Sequence, residues 1–248
     1  MSETENVYGE PQKDFFNDLA MGWEKRAEAT GKGAWGALAT PTAAAGILFA
    51  ILYTLAYYLL TQTPLGSATD AEIIAYYADG NQRTLTLAGM FIMPFAGIAF
   101  LYFMVFLRRL ANQTGLPVSR ILGNVQQGAG LIFIAVLFVA TAALVAAPAS
   151  LQFAGLETDP QLARQLPLFG TTTLLMFGMR MASMFAFTSS SIGRATGMIP
   201  NWFGYLGYLV GIALLLAFTF QTWFALLFAA WVLVLCIIVL IRRSRKHS

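Results

Sequence analysis

Six apolar runs organise this chain, near residues 42–62, 84–107, 122–147, 169–190, 203–220 and 222–241. Each approaches the ~20 residues an α-helix needs to cross ~30 Å of hydrocarbon. The runs are continuously apolar rather than alternating, which argues against the strands of a membrane barrel. The expected fold is all-α: a polytopic membrane protein in which residues 41–241 form a bundle of six transmembrane helices. Composition agrees, since 58% of the 248 residues are hydrophobic and only 11% are charged. A soluble domain carries about 25% charged residues.

Orientation follows from lysine and arginine. With six spans both ends of the chain fall on one side. That side holds Lys13, Lys25, Arg26, Lys32, Arg108, Arg109, Arg120, Arg194, Arg242, Arg243, Arg245 and Lys246. The other side holds only Arg83 and Arg164. Both termini are therefore expected to be cytoplasmic, with residues 1–40 as an N-terminal tail and residues 242–248 as a short basic one. The basic residues sit beside apolar spans rather than along one face, so nucleic acid is not an expected partner.

The tails and loops carry local signals. In "QKDFFNDLAMGWEKRAEAT", Phe15, Phe16, Leu19 and Trp23 share one helical face. Residues 12–30 thus form an amphipathic helix that either rests on the inner membrane surface or docks a partner subunit. The start lacks a basic segment leading into an apolar core, so the first span is expected to direct insertion. Thr69 or Asp70 can cap a short interfacial helix in "SATDAEIIAYYADGNQ", with Glu72 in its first turn. The loop "PASLQFAGLETDPQLARQLP" is bounded by prolines and serves as either a connector or a lid. Gln221 and Thr222, between Phe220 and Trp223, suit a tight turn between the last two spans.

Catalytic and cofactor chemistry has little to work with. The one histidine, His247, is penultimate, which removes the usual axial ligand for haem and the usual zinc donors. Cys236 stands alone in the last apolar run. Every Asp and Glu lies in a tail or outer loop, so no span offers the carboxylate that ion-coupled pumps commonly use. Ser189, Ser190 and Ser191 have no base beside them and suit bonding back to helix carbonyls. No catalytic residue, metal site or cofactor is expected.

One charge stands inside a span. Arg180, in "MFGMRMASMF", is 11 residues from Phe169 and 10 from Ser190. Either end of the run is then about 15 Å away. An arginine at such depth costs roughly 2.5–3.5 kcal/mol or more. Three partners would offset that: polar groups in the bundle such as Gln126, Gln127, Thr172 or the carbonyl freed by Pro94; a bound anion; or an acid on another subunit. Arg180, Gln126, Gln127 and Thr172 are thus the candidate ligand-binding residues. Pro94 is expected to kink the second span, as either a hinge or a shaping bend. Gly207 and Gly211 have the spacing that lets membrane helices approach closely, within the bundle or between copies.

The stretch "SIGRATGMIPNWFGYLGYLVGIALLL" resembles the penultimate loop and helix of an uncharacterised bacterial family of multi-span membrane proteins. Gly197, Ile199, Pro200, Gly204 and Gly207 carry the pattern, with Pro200 suited to a helix start. The segment "NQRTLTLAGMFIMPFAGIAFLYFMVFLRRL" is similar to the same family, and together the likeness covers roughly 100–140 residues. The resemblance implies a bacterial inner-membrane location and transfers no activity. The expected function is an accessory or scaffolding subunit of a membrane complex in contact with lipids, or alternatively a small-solute or lipid transporter.

Overall fold

A computed structural model describes residues 34–62, 68–77, 81–113, 119–155, 159–216 and 223–245. The helix expected over 12–30, the turn at Gln221–Thr222 and the end of the basic tail lie outside them. Among the described residues the structure is helical throughout: α1 (Ala34–Leu60), α2 (Asp70–Tyr76), α3 (Gln82–Leu87), α4 (Met93–Asn112), α5 (Arg120–Ala154), α6 (Pro160–Thr173), α7 (Met179–Ala195), α8 (Asn201–Leu215) and α9 (Trp223–Arg245). Helix is the outcome that apolar surroundings impose, because every backbone N–H and C=O must find its partner within the segment. Four helices are long and apolar enough to cross a membrane: Leu38–Leu60, Gln82–Asn112, Arg120–Ala154 and Trp223–Arg242. Asn201–Leu215 is apolar but shorter.

Two helices contain a wide turn. Ala88–Ile92 joins α3 to α4 and Leu174–Gly178 joins α6 to α7, both with π geometry and without interrupting the helix. Pro94 follows the first of them. Its missing N–H leaves the usual carbonyl partner four residues back unpaired, and the wide turn absorbs that defect within a continuous helix.

The proline-bounded loop is mostly helix, which differs from the expected connector or lid. α5 continues through Pro148 to Ala154 and is capped by Gly155 in the left-handed region at φ 61°. α6 starts directly after Asp159, whose carboxylate accepts from the Gln161 N–H at 2.9 Å, and Pro160 takes the first helical position. Arg164 then donates to Asp70 and to the Ala68 carbonyl, both at 2.8 Å, and ties α2 to this extension.

α2 is the short helix expected between the first two spans. Thr69 accepts from the Glu72 N–H, and the Glu72 carboxylate accepts from the Thr69 N–H at 2.7 Å and hydroxyl at 3.0 Å. Ile73 and Tyr77 are buried while Ile74 is exposed. Burial pushes the Tyr77 hydroxyl up to about 12, with a smaller contribution from Tyr76. The bonds from Thr69 hold Glu72 below the usual carboxylate range. The sign is that of a depressed acid: the cap is fully present above the ordinary glutamate value and is lost as pH falls through the lower folded value. Thr69→Ala keeps the N–H and removes only the hydroxyl, so it should raise the Glu72 midpoint part of the way in an NMR titration. Thr69→Pro, which also removes the N–H, should return it to the ordinary range; a midpoint unchanged in both would exclude the cap.

The centre is aromatic. Phe49, Phe100, Phe103, Phe133, Phe185 and Phe228 come from α1, α4, α5, α7 and α9 and are all fully buried. Phe100 lies 4.7 Å from Phe49, 5.1 Å from Phe185, 5.4 Å from Phe133 and 5.7 Å from Phe228 between ring centroids. α1 packs most extensively on α4, α9 closes against α1, and α5 is held between α4 and α7. The outward sides carry exposed Leu48, Ile51, Phe95, Tyr102, Leu131 and Leu209. Water would not tolerate so much exposed apolar surface, and lipid would.

Candidate functional site

α7 carries the polar groups of the bundle on opposite sides. On its α5 side, Gln126 is buried and donates to Ser189 Oγ at 2.7 Å. On its α8 side, Ser183 donates to the Gly211 carbonyl at 2.7 Å, and Ser191 pairs with the Tyr208 hydroxyl at 3.0 Å. Thr188 and Thr196 bond back to carbonyls of their own helix, at 2.7 Å to Met184 and 2.8 Å to Ile192. The hydroxyl run "FTSSSIGRAT" thus serves both neighbours and its own helix. An amide cannot take a proton from serine, so Gln126 and Ser189 form a structural pair rather than a nucleophile and base.

The glycines explain how α8 comes so close. A Cβ on Gly207 would lie 1.9 Å from Ser190 Oγ and 3.1 Å from Trp231 Nε1, and one on Gly211 would lie 2.9 Å from the Phe187 ring. These two glycines are therefore used inside the chain, between α8 and its neighbours α7 and α9. Gly197 turns the backbone at φ 66°, and the Ile199 N–H returns to the Gly193 carbonyl at 3.1 Å. Arg242 of α9 donates to the Gly197 carbonyl and closes this loop. Pro200 sits one position before α8, where its carbonyl accepts from the Phe203 and Gly204 N–H groups at 3.1 Å.

Arg180 stands apart from this seam. It is partly exposed, on a strip of the continuous helix that includes exposed Phe177 in the wide turn and Met184 in α7. One guanidinium nitrogen donates to the Met176 carbonyl and lies 4.0 Å from the Met176 sulfur. Met176 belongs to the wide turn 174–178, so the arginine answers a carbonyl of irregular helix. The four candidate residues are not gathered. Gln126 is bound to Ser189, nine residues from Arg180 and about 13 Å along the axis. Gln127 donates to the Met104 carbonyl at 3.5 Å on another helix. Thr172 is partly buried two turns away on the same helix. The carbonyl that Arg180 uses comes from Met176, not from the bend at Pro94.

The basic and acidic ends of the bundle frame the position of Arg180 along the helix. Arg108 donates to the Gly123 carbonyl and to Asn124, Arg194 lies 4.2 Å over the Tyr205 ring, and Arg242 reaches Gly197. These arginines mark one basic end, with Asp70, Glu72, Asp159 and Arg164 at the other. Twenty helical residues, about 30 Å, lead from Arg109 to Gly89 and from Arg194 to Leu174. Both wide turns thus lie about 30 Å from the basic end. Arg180 is 14 residues from Arg194 and six from Leu174, about 21 Å and 9 Å along the helix. That helix continues from Pro160 to Ala195 without a break.

Chemically, the arrangement offers one partly exposed guanidinium with one donor engaged by the Met176 carbonyl. Such a fork suits a phosphate or a carboxylate. Compared with known proteins, the chain matches no family model, no curated protein and no solved structure.

Proposed function

We propose that this chain is an accessory or scaffolding subunit of a membrane complex, without a reaction of its own. It crosses the bacterial inner membrane six times, with the helix 160–195 and α8 adding to the four longest apolar helices. Both termini face the cytoplasm, following the excess of basic residues at that end. Residues 12–30 supply the contact to the partner, and lipids surround the bundle. The likeness of residues 191–216 to an uncharacterised bacterial family supports the location.

The observation that carries this reading is the filled centre. A solute path would run where Phe49, Phe100, Phe133, Phe185 and Phe228 meet, and those rings are fully buried against one another. Among the described residues the one charged side chain between the two ends, Arg180, is partly exposed, where lateral contacts are made. A second reading, transport of a small solute or lipid, draws on the wide turns at 88–92 and 174–178, since π turns often accompany functional sites.

Native mass spectrometry of the mildly extracted protein tests the first reading, with a stoichiometric larger assembly expected. A lone species together with solute-dependent flux that Arg180→Gln abolishes would transfer the protein to the transport reading. For topology, single cysteines replace Arg83, Asn201 and Leu216 in a Cys236→Ala background. An impermeant maleimide should reach Arg83→Cys and Leu216→Cys from outside and Asn201→Cys only after permeabilisation. All three labelling from one side would reject the six spans.

A further inference from the structure

We infer that Arg180 holds a phosphate at the outer end of a short span, with the headgroup of an anionic phospholipid as its source. The inference rests on the six-span reading above. It begins from the length of α8, whose 15 residues reach only about 22 Å of the ~30 Å that hydrocarbon requires. α8 runs antiparallel to α7: Ser191 meets Tyr208, and Ser183 meets Gly211. Continuing from the nearer of these pairs, Ser183 with Gly211, puts Arg180 level with Leu214, in the last turn of α8, whose final carbonyls lie outside the helical ladder.

At the other end of the same pair, Arg194 lies against Gly204 and over the Tyr205 ring. Arg194 and Arg180 are 14 residues apart on a continuous helix, about 21 Å. The two arginines therefore bracket a helix of their own separation. A span shorter than the bilayer is accommodated by local thinning and by flanking cations that reach for the headgroups. Arg180 already leans that way, because its head group bonds Met176, one turn toward the outer end.

Among the described residues, no ion pair joins Arg180 to an acid. Asp70 is engaged by Arg164, which is 16 residues from Arg180, about 24 Å along the helix. Asp159 is further still, at the start of α6. Arginine has five N–H donors, and one is used on Met176. Arg180 is partly exposed, between exposed Phe177 and Met184 on the same continuous helix, and a phosphate can take two of the remaining donors at once.

The test uses the full chain in phosphatidylcholine nanodiscs containing phosphatidylglycerol, ejected for native mass spectrometry. Wild type should retain one phosphatidylglycerol that Arg180→Leu loses, with the bound fraction falling about tenfold, and Arg180→Lys should fall between. A parallel titration adds inorganic phosphate to lipid-free protein in detergent. No rise in Tm assigns the headgroup, whereas a rise in wild type absent from Arg180→Leu assigns the free anion to the same site. Equal lipid retention in all three folded proteins overturns the inference. So does loss of a co-purifying protein, instead of lipid, in Arg180→Leu. The maleimide labelling separates the cases, because a failed six-span topology shows there and not in lipid retention.

Discussion

Phe100→Ala should cause the largest loss of stability of any single truncation in the bundle, in the lower part of the range of about 3–5 kcal/mol. Phe100 touches five other rings, from α1, α4, α5, α7 and α9, and is fully buried. The reasoning differs from that for a soluble core. Lipid chains are as apolar as phenylalanine, so leaving the core for lipid costs little in transfer free energy. What remains is the lost dispersion and the cavity, about 24 cal/mol per Å³ where the surroundings cannot collapse. Collapse is hindered here because the neighbours are stiff rings on five separate helices. Phe177→Ala is the control. That ring is 63% exposed, and its removal should change stability by less than about 0.5 kcal/mol. Reversible unfolding in mixed micelles compares the two. Equal losses would mean that the aromatic centre is not what holds the helices together.

The same contrast shows what the sequence could and could not disclose. Membrane helices were legible because a continuous apolar run has few other outcomes in lipid. The short helix at 70–76 was legible from Thr69 and Glu72, since a capping box is a local motif. Extents were less so. The polar segments 148–154 and 160–168 continue as helix because Gly155, Asp159 and Pro160 place one stop and one start between them, so that two proline-bounded stretches became helix ends. Pairings were not legible at all. Gln126 and Ser189 lie 63 residues apart and meet only because α5 and α7 run antiparallel at that spacing. Arg180 was visible as a charge, but its bond to Met176 depends on the wide turn at 174–178, which the apolar run does not announce.

Gly170→Ala should destabilise the protein by about 1–3 kcal/mol, although it adds one methyl group to a helix. Gly207 and Gly211 stand out by their spacing, and Gly170 does not. A Cβ on Gly170 would lie 2.5 Å from the Ala140 carbonyl oxygen and 3.0 Å from Leu144 Cγ. The first of these belongs to the backbone of α5, which cannot swing aside as a side chain can. Gly130 makes the useful comparison, because its Cβ would approach Met104 Sδ even more closely, at 1.9 Å. Methionine is unbranched and adaptable, so Gly130→Ala should cost less despite the shorter distance. Gly128 has open space within 4 Å, and there alanine should stabilise by about 0.5–1 kcal/mol through helix propensity alone. The expected order of stability is Gly128→Ala, wild type, Gly130→Ala, Gly170→Ala. Gly170→Ala should also loosen the outer end first, because separating α6 from α5 moves Arg164 away from Asp70 and Ala68. Hydrogen exchange at Ile73, whose N–H bonds the Thr69 carbonyl at 3.1 Å, reports that release. Unchanged exchange at Ile73 alongside a lowered Tm would place the strain elsewhere in the bundle.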